Sequence, residues 1–137
     1  MKIKNIFDIA GRAMAAQMVR LNTISSNLAN AGATTGDPET VYKPLKPEFK
    51  TQYSENVKKN GISTVNVSKV VELQKEPFKI FDPNHPLADE NGYIYRAPIN
   101  VEEEMVDMMD ASRQYQNNVE VVTTLKALTL KTINLGK

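Results

Sequence analysis

The residues best suited to chemistry in this chain are its single histidine and the acids around it. His85 lies between Asp82 and Asp89, so these side chains could be arranged as an acid–base or metal site. A second acidic run, Glu102 to Asp110, offers paired carboxylates of the kind that glycosidases use. However, the Asp and Pro residues around His85 are typical of turns, and acids suit the first turns of a helix. We therefore interpret the first group as a turn and the second as a solvated helix face, and we predict no enzyme.

Composition argues against other common chemistries. The 137 residues include no cysteine, which excludes disulfides, thiolate zinc sites and a cysteine nucleophile. The six glycines are scattered and form no phosphate-binding loop, and the segment 89–92 lacks the ligand pattern of a calcium loop. The net charge is only +1, so the chain lacks the excess of basic residues that binding to nucleic acid or to a membrane surface requires. We predict no cofactor, no metal, no nucleic-acid binding and no direct membrane insertion.

The distribution of residue types divides the chain into three parts. All seven prolines and seven of the nine aromatic residues lie between positions 37 and 100, whereas all six methionines lie outside that window. We therefore predict an N-terminal helix in residues 1–34, an extended and β-rich middle segment in 35–100, and a C-terminal helix in 101–137. Asp8 and Arg12 interrupt the N-terminal apolar residues, so no cleaved secretory signal is predicted.

Apolar residues of the N-terminal segment recur at alternating spacings of four and three. These positions are Ile3, Phe7, Ala10, Met14, Leu21, Ile24 and Leu28, with Gln17 as the single polar member. Nearly four such repeats favour a coiled-coil-like helix, although an ordinary amphipathic core helix fits the periodicity equally well. The helix should end near Asn30-Ala31-Gly32, because Asn and Gly tolerate the conformation that closes a helix.

The C-terminal segment shows the same spacing, with Asn100 as the predicted N-cap. The positions are Val101, Met105, Met108, Ser112, Tyr115, Val119 and Val122. Beyond Val119 the apolar residues, which include Leu125 and Leu128, spread around most of the helix circumference. Such a helix must be buried on several sides. This predicts self-assembly or a permanent partner, although a frayed tail in the free protein is an alternative, and both can hold.

The middle segment has the pattern of short strands and turns. Ile62 to Leu73 is β-branched and alternates with a one-residue slip, which predicts a bulge. Phe78 to Phe81 and Tyr93 to Tyr95 are two further strand candidates, and Tyr42 to Phe49 is extended by its prolines. The predicted fold class is α+β and mainly α. Two long terminal helices pair as a coiled coil, and a small β-hairpin and extended region lies between them.

Several local motifs carry a family resemblance. They are the Asn-Leu-Ala-Asn element at 27–30, the Asp-Pro-Asn-His-Pro turn at 82–86, the Val-Glu-Glu-Glu-Met-Val stretch at 101–106, and the Ala-Ser-Arg-Gln-Tyr-Gln-Asn-Asn-Val run at 111–119. With these motifs the sequence resembles the bacterial flagellar axial family of rod and hook proteins. The last three motifs are most similar to those of its proximal rod members. Residues 37–75 match that pattern only loosely.

The resemblance implies a structural subunit of the flagellar basal-body rod that polymerises through its terminal helices. The proximal rod transmits torque from rotor to hook and serves motility. Implied partners are further copies of the chain, other proximal and distal rod subunits, the rod-to-rotor adaptor protein and the flagellar type III export apparatus. The implied location is the periplasmic rod, reached without a cleaved signal peptide. The alternative is a soluble coiled-coil adaptor or export chaperone of a type III secretion system.

Position on the two helices, together with the resemblance, assigns a set of subunit-interface residues. They are Phe7, Met14, Leu21, Ile24, Asn27, Leu28, Asn30, Val101, Met105, Met108, Tyr115, Val119, Val122, Leu125 and Leu128. Asn27 and Asn30 belong to the element shared by the family. Their amides can satisfy backbone groups where the helix meets the extended segment, and simple C-capping is the alternative.

Overall fold

A computed structural model of the chain describes residues 3–52 and 64–136. Two long helices, α1 (Ile3–Asn30) and α2 (Val101–Leu135), flank a middle segment of short strands. α1 packs lengthwise against α2, and the order of the side-chain contacts shows that the two helices run antiparallel. The predicted mainly helical α+β fold is confirmed, whereas coiled-coil pairing stays a prediction.

The ends of both helices follow the local sequence signals. α1 ends at Asn30, where the sequence predicts, but not through a left-handed residue, because among the described residues the positive φ occurs at Gly92. At the start of α2 the Asn100 side chain accepts hydrogen bonds from the backbone N–H groups of Glu102 and Glu103. This confirms Asn100 as the N-cap, which satisfies two of the backbone donors that a helix N-terminus leaves free.

The middle segment forms two small antiparallel sheets. The strands are β1 (Thr34–Thr35), β2 (Leu45–Gln52), β3 (Thr64–Glu72), β4 (Phe78–Phe81) and β5 (Tyr93–Arg96). One sheet has the order β1-β5-β4, and β2 and β3 form the other. The predictions for β4 and β5 are confirmed, and the extended run from Tyr42 continues into β2. β1 was not predicted, because two threonines carry no periodicity.

The predicted bulge is present in β3. Glu48 of β2 lies opposite Lys69, but the next residue, Phe49, lies opposite Val67, so Ser68 is the extra residue. One inserted residue restores the alternation of side chains after a slip, which is the pattern seen in the sequence. Ile62, where the predicted strand begins, lies outside the described residues.

The small core lies where α1 ends and α2 begins. Buried Val41, Ala97 and Ile99 form a cluster, and Ala31 and Tyr95 pack against it. β2 and β3 contact α1 as well. The middle segment therefore fixes the angle and register at which the two helices leave the core. Within the described ranges, no helix is long and apolar enough to cross a membrane.

Candidate assembly surface

The group around His85 is a turn, as predicted. His85 Nδ1 accepts a hydrogen bond from the Leu87 N–H at 3.1 Å. Asp89 Oδ1 accepts from the N–H groups of Tyr93 at 2.8 Å and Asn91 at 2.9 Å. The bond from the Tyr93 N–H, followed by that from Asn91, holds the pKa of Asp89 below its usual value. Residues 3–52 and 64–136 contain no group of acids and histidine arranged to hold a metal ion.

The two helices are joined by a chain of polar contacts, which we call the interhelical polar network. Arg20 of α1 donates through Nη1 to Asp110 Oδ2 and through Nη2 to Asp107 Oδ1, both at 3.1 Å. Gln114 Nε2 donates to Asp110 Oδ2 at 3.0 Å, and Gln17 Nε2 donates to Gln114 Oε1 at 3.0 Å. The donors of the bonds that cross between the helices lie on α1 and their acceptors lie on α2, and these pairings specify one register of α1 along α2.

Asn27 connects both helices to the middle segment. Its Oδ1 accepts from the Leu45 N–H at 2.8 Å and from the Tyr42 hydroxyl at 3.1 Å. Its Nδ2 donates to the Leu45 carbonyl at 3.0 Å and to Glu104 Oε1 at 3.2 Å. The side-chain amide thus pairs with both backbone groups of Leu45, as a neighbouring strand would. With only 2% of its surface exposed, Asn27 is the joint between α1, β2 and α2.

Glu104 lies beside Asn27, and its surroundings shift the pKa of its carboxyl group. Burial raises the pKa of the Glu104 carboxyl, the hydrogen bond from Asn27 opposes that effect, and the nearby charge of Asp107 adds to it. The charged form of Glu104 is therefore less favourable in the folded protein than in the unfolded chain. A neutral side chain that still accepts from Asn27 would fit the same place.

Small residues allow the two helices to approach closely. Ala16 of α1 is 4% exposed, and Ala111, the one described residue of α2 that is fully buried, is 0% exposed. Eight of the ten less exposed positions of α2 keep a spacing of four and three, and Asp110 and Ser112 are the other two. The eight are Glu104, Met108, Ala111, Tyr115, Asn118, Val122, Leu125 and Thr129. Met108, Tyr115 and Val122 belong to the predicted apolar pattern, but half of the eight are polar or alanine.

The apolar side chains displaced from this contact lie on the surface of α2. We call them the exposed apolar surface of α2: Val101, Met105, Val106, Met109, Val119, Val121, Leu128, Leu130, Ile133 and Leu135. The exposed fraction is 64% at Met109 and 87% at Leu135. So many exposed apolar residues on one helix are typical of a protein–protein interface rather than of a monomer surface.

The last turns of α2 extend beyond α1. Gln17 lies opposite Gln114 and Asn27 lies opposite Glu104. Continuing this antiparallel register to the first described residue of α1, Ile3, places it near Leu128. Residues 129–135, which include Leu130, Ile133 and Leu135, therefore have no α1 residue beside them among the described residues.

The predicted interface residues divide into three groups by exposure. Ile24 and Asn27 are buried. The half-buried members are Phe7, Met14, Leu21, Leu28, Asn30, Met108, Tyr115, Val122 and Leu125. The exposed members are Val101, Met105, Val119 and Leu128. Asn30 donates from Nδ2 to the Ser26 carbonyl of its own helix at 2.8 Å. A role in contacts between subunits stays a prediction for the whole set.

Sequence reasoning missed the interhelical polar network. It interpreted the acids from Glu102 to Asp110 as a solvated face. That interpretation holds for Glu102 and Glu103, which are exposed, but it is wrong for Glu104, which contacts Asn27. Asp107 and Asp110 also bind Arg20. The sequence did contain a signal for this contact. Asp107 and Asp110 are about one helical turn apart, so both carboxylates lie on one face of α2 and can pair with the same arginine.

Comparison with known proteins gives consistent matches along the chain. The family model described as "Flagella basal body rod protein" matches residues 7–36. The model described as "Flagellar basal body rod FlgEFG protein C-terminal" matches residues 90–135. These two ranges contain most of α1 and all of α2, and three of the four sequence motifs lie within them; the turn at 82–86 lies outside.

Full-length relatives are similar over the whole chain. The chain is 43% identical over 137 residues to the flagellar basal-body rod protein FlgC of Salmonella typhimurium, covering 100% of both chains. It is 42% identical to that of Escherichia coli O157:H7 and 38% identical to that of Buchnera aphidicola from Acyrthosiphon pisum, again with 100% of both chains covered.

Proposed function

The chain belongs to the flagellar basal-body rod protein family and is a structural rod subunit of the flagellum, and from this premise we propose that it polymerises through its terminal helices. The polymer would be the proximal rod, which transmits torque from the rotor to the hook. The observation that carries the proposal is the exposed apolar surface of α2. Burying that surface against neighbouring subunits gives the favourable free energy that a rod under torque requires.

The proposal extends to partners and route. Membership of this family implies assembly with other flagellar rod and basal-body proteins. The specific partners proposed are copies of the chain, the other proximal and distal rod subunits, and the rod-to-rotor adaptor protein. Export unfolded through the flagellar type III apparatus to the periplasm is supported by the small core. Eight apolar residues are buried in the described ranges, so the isolated fold should unfold at little cost.

The comparisons favour the rod subunit over a soluble adaptor or export chaperone, because the similar full-length proteins are named as rod proteins. These relatives are structural proteins rather than enzymes. We extend this to the chain as the proposal that it has no catalytic activity, which agrees with the engagement of His85 and Asp89 in a turn.

Leu128→Asp tests the assembly surface. Leu128 is 55% exposed, so the substitution should leave the isolated fold intact, whereas a buried carboxylate at an interface is strongly unfavourable. We expect loss of swimming by at least about tenfold, which corresponds to ~1.4 kcal/mol or more of lost interaction, with normal amounts of protein in the cell. Motility in soft agar and immunoblotting of purified basal bodies would measure this.

The matched control is Asn117→Asp, which adds the same charge at an exposed polar position of the same helix. It should swim like the parent. Normal motility and normal incorporation of Leu128→Asp would contradict the assignment of this surface to assembly.

A further inference from the structure

The methionines of the two helices differ in exposure. On α2, Met105 and Met109 are 54% and 64% exposed, and on α1 Met18 is 44% exposed. Met14 and Met108 are half-buried. Because the chain has no cysteine, methionine sulfur is the side-chain atom that a peroxide oxidises most readily. An oxidant should therefore react first at Met105 and Met109.

These two methionines lie together on the side of α2 that faces away from α1. They are four residues apart, so their side chains are neighbours on one face of the helix. Met109 lies about 160° around the helix axis from Ala111 at 3.6 residues per turn, and Ala111 is fully buried. Val106, beside both methionines, is 65% exposed. A chemical change at Met105 or Met109 therefore alters the exposed apolar surface of α2 and leaves the contact with α1 in place.

Hydrogen peroxide converts an exposed methionine into methionine sulfoxide. A lone pair of the thioether sulfur attacks one peroxide oxygen, an S–O bond forms and the O–O bond breaks. The departing hydroxide takes the proton of the transferred oxygen and leaves as water. Sulfur is thus oxidised by two electrons and the peroxide is reduced by two. The product is a polar side chain with a strong hydrogen-bond acceptor where a flexible apolar one stood.

The sulfoxide affects the free and the assembled subunit differently. In the free subunit, water hydrates the new oxygen, so oxidation should cost the fold little. At an interface the same oxygen is buried without an assured donor, which is unfavourable, and oxidation is known to disrupt methionine-rich contacts. The change is reversible, because methionine sulfoxide reductases return each of the two sulfoxide epimers to methionine.

We propose that Met105 and Met109 form a reversible oxidation site, and that their sulfoxides prevent the free subunit from joining the rod. The inference rests on the proposed function, to which it adds a chemical control of the exposed apolar surface of α2. In a subunit that is already incorporated, neighbours cover the two sulfur atoms and protect them from the oxidant.

Treatment of the purified free protein with dilute hydrogen peroxide tests the site itself. Tandem mass spectrometry follows the gain of one oxygen atom at each methionine. We expect Met105 and Met109 to react at least about threefold faster than the half-buried Met14 and Met108, and reductase treatment to remove the added oxygen. The melting temperature of protein oxidised at positions 105 and 109 should stay within about 2 °C of the parent value. Equal rates at all four residues, or unfolding on oxidation, would overturn the proposal.

Paired substitutions in a flagellated host that lacks its own copy test the effect on assembly. Met105→Leu with Met109→Leu keeps apolar side chains that peroxide cannot oxidise, whereas Met105→Gln with Met109→Gln imitates the polarity of the sulfoxides. The leucine pair should form the normal number of basal bodies, and the glutamine pair at least about fivefold fewer, which corresponds to ~1 kcal/mol. During growth in peroxide, the leucine pair should form at least about threefold more new basal bodies than the parent. The matched control is Met108→Leu, which should give no such resistance.

The outcomes separate this inference from the proposed function. If the glutamine pair assembles normally while Leu128→Asp does not, the assembly surface stands and the oxidation site is wrong. If both assemble normally, the assignment of this surface to assembly fails as well. Equal sensitivity of the parent and the leucine pair to peroxide would also overturn the inference.

A further measurement needs no variant and holds even if the leucine pair fails to assemble. In peroxide-treated parent cells, the sulfoxide at Met109 should be at least about fivefold less frequent in purified basal bodies than in unassembled subunits. Equal frequencies in the two pools would show that oxidised subunits enter the rod, which contradicts the proposal.

Discussion

The two halves of α2 differ in what they contact. The first half contacts α1 through the interhelical polar network and through Ala111, while the second half carries apolar residues around most of its circumference. A typical soluble helix pair has apolar contacts inside and polar residues outside. Here the contact within the chain combines polar pairs with apolar side chains, and many other apolar side chains of α2 remain exposed on the surface. We propose that contacts within the subunit set the register of the two helices and that the exposed apolar residues of α2 bind neighbouring subunits.

This division has an energetic consequence. Exposed ion pairs and neutral hydrogen bonds each contribute only about 0.5–1.5 kcal/mol, whereas burial of apolar surface contributes roughly 25 cal/mol per Å². The isolated subunit should therefore be only marginally stable, although its two helices already pair in the correct register. The assembled subunit should gain most of its stability from contacts that α2 makes with neighbours.

The largest expected effect on the isolated fold is at the joint between the helices and the middle segment. Asn27→Ala removes all four hydrogen bonds of this side chain and leaves both backbone groups of Leu45 without that partner. We expect a loss of about 2–4 kcal/mol in the free energy of unfolding, measured by urea denaturation.

Asn30→Ala is the natural control for that measurement. Asn30 belongs to the same Asn-Leu-Ala-Asn element, but its side chain donates only to the Ser26 carbonyl. Its loss should cost about 1 kcal/mol or less. Equal effects of the two substitutions would show that Asn27 acts as a helix cap and not as a joint.

A smaller effect is expected where Arg20 connects the helices. Arg20→Ala removes the ion pairs to Asp107 and Asp110, whose side chains are 59% and 44% exposed. Because water and salt screen such pairs, the loss should be about 1 kcal/mol at low ionic strength and smaller in 1 M salt. The exposed Arg113→Ala serves as the control. A loss that is independent of salt would mean that Arg20 contributes by packing.

The smallest effect concerns pH. The pKa of Glu104 is raised, mainly by burial, so the folded state binds its proton more tightly than the unfolded chain does. The resulting stabilisation is complete below the unfolded pKa and is lost as pH rises through the raised pKa. Glu104→Gln keeps an acceptor for Asn27 without the charge, so its melting temperature should exceed that of the parent by about 1–2 °C at pH 7.

The pH dependence of that difference is the decisive part of the measurement. The advantage of Glu104→Gln should disappear in acid, where Glu104 itself is neutral. The control is Glu103→Gln at the neighbouring exposed position. A lower melting temperature for Glu104→Gln at pH 7 would indicate that the carboxylate charge is favourable at this joint.

The sequence predicted the elements better than their contacts. Helix ends at Asn30 and Asn100 and the bulge at Ser68 follow from local signals, namely capping residues and an interrupted alternation. Those signals act within a few residues of the chain. The contact between Arg20 and Asp110 depends on which faces of two distant helices meet, and apolar periodicity alone does not specify such polar pairs.

The candidate assembly surface was likewise predicted in its residue pattern but not in its contacts. The sequence indicated that α2 beyond Val119 has too many apolar residues to be covered by one chain, and the exposure of Leu128 and Ile133 agrees with this. It also indicated that the Asn27 amide can satisfy backbone groups where the helix meets the extended segment, but not that the partner is Leu45, because that bond joins residues brought together only by the turn between α1 and β2. Contacts of this kind depend on tertiary structure, which local patterns do not specify.

Hydrogen exchange on the free protein, compared with the same amides in purified rods, tests the central claim most directly. In the free protein we expect protection of amides around Ala111, where α1 covers α2, and rapid exchange from Leu130 to Leu135, beside which no described residue of α1 lies. In rods both segments should be protected. Strong protection from Leu130 to Leu135 in a free monomer, or in a small discrete oligomer detected by light scattering, would contradict the account, because this segment would then be ordered without the rod.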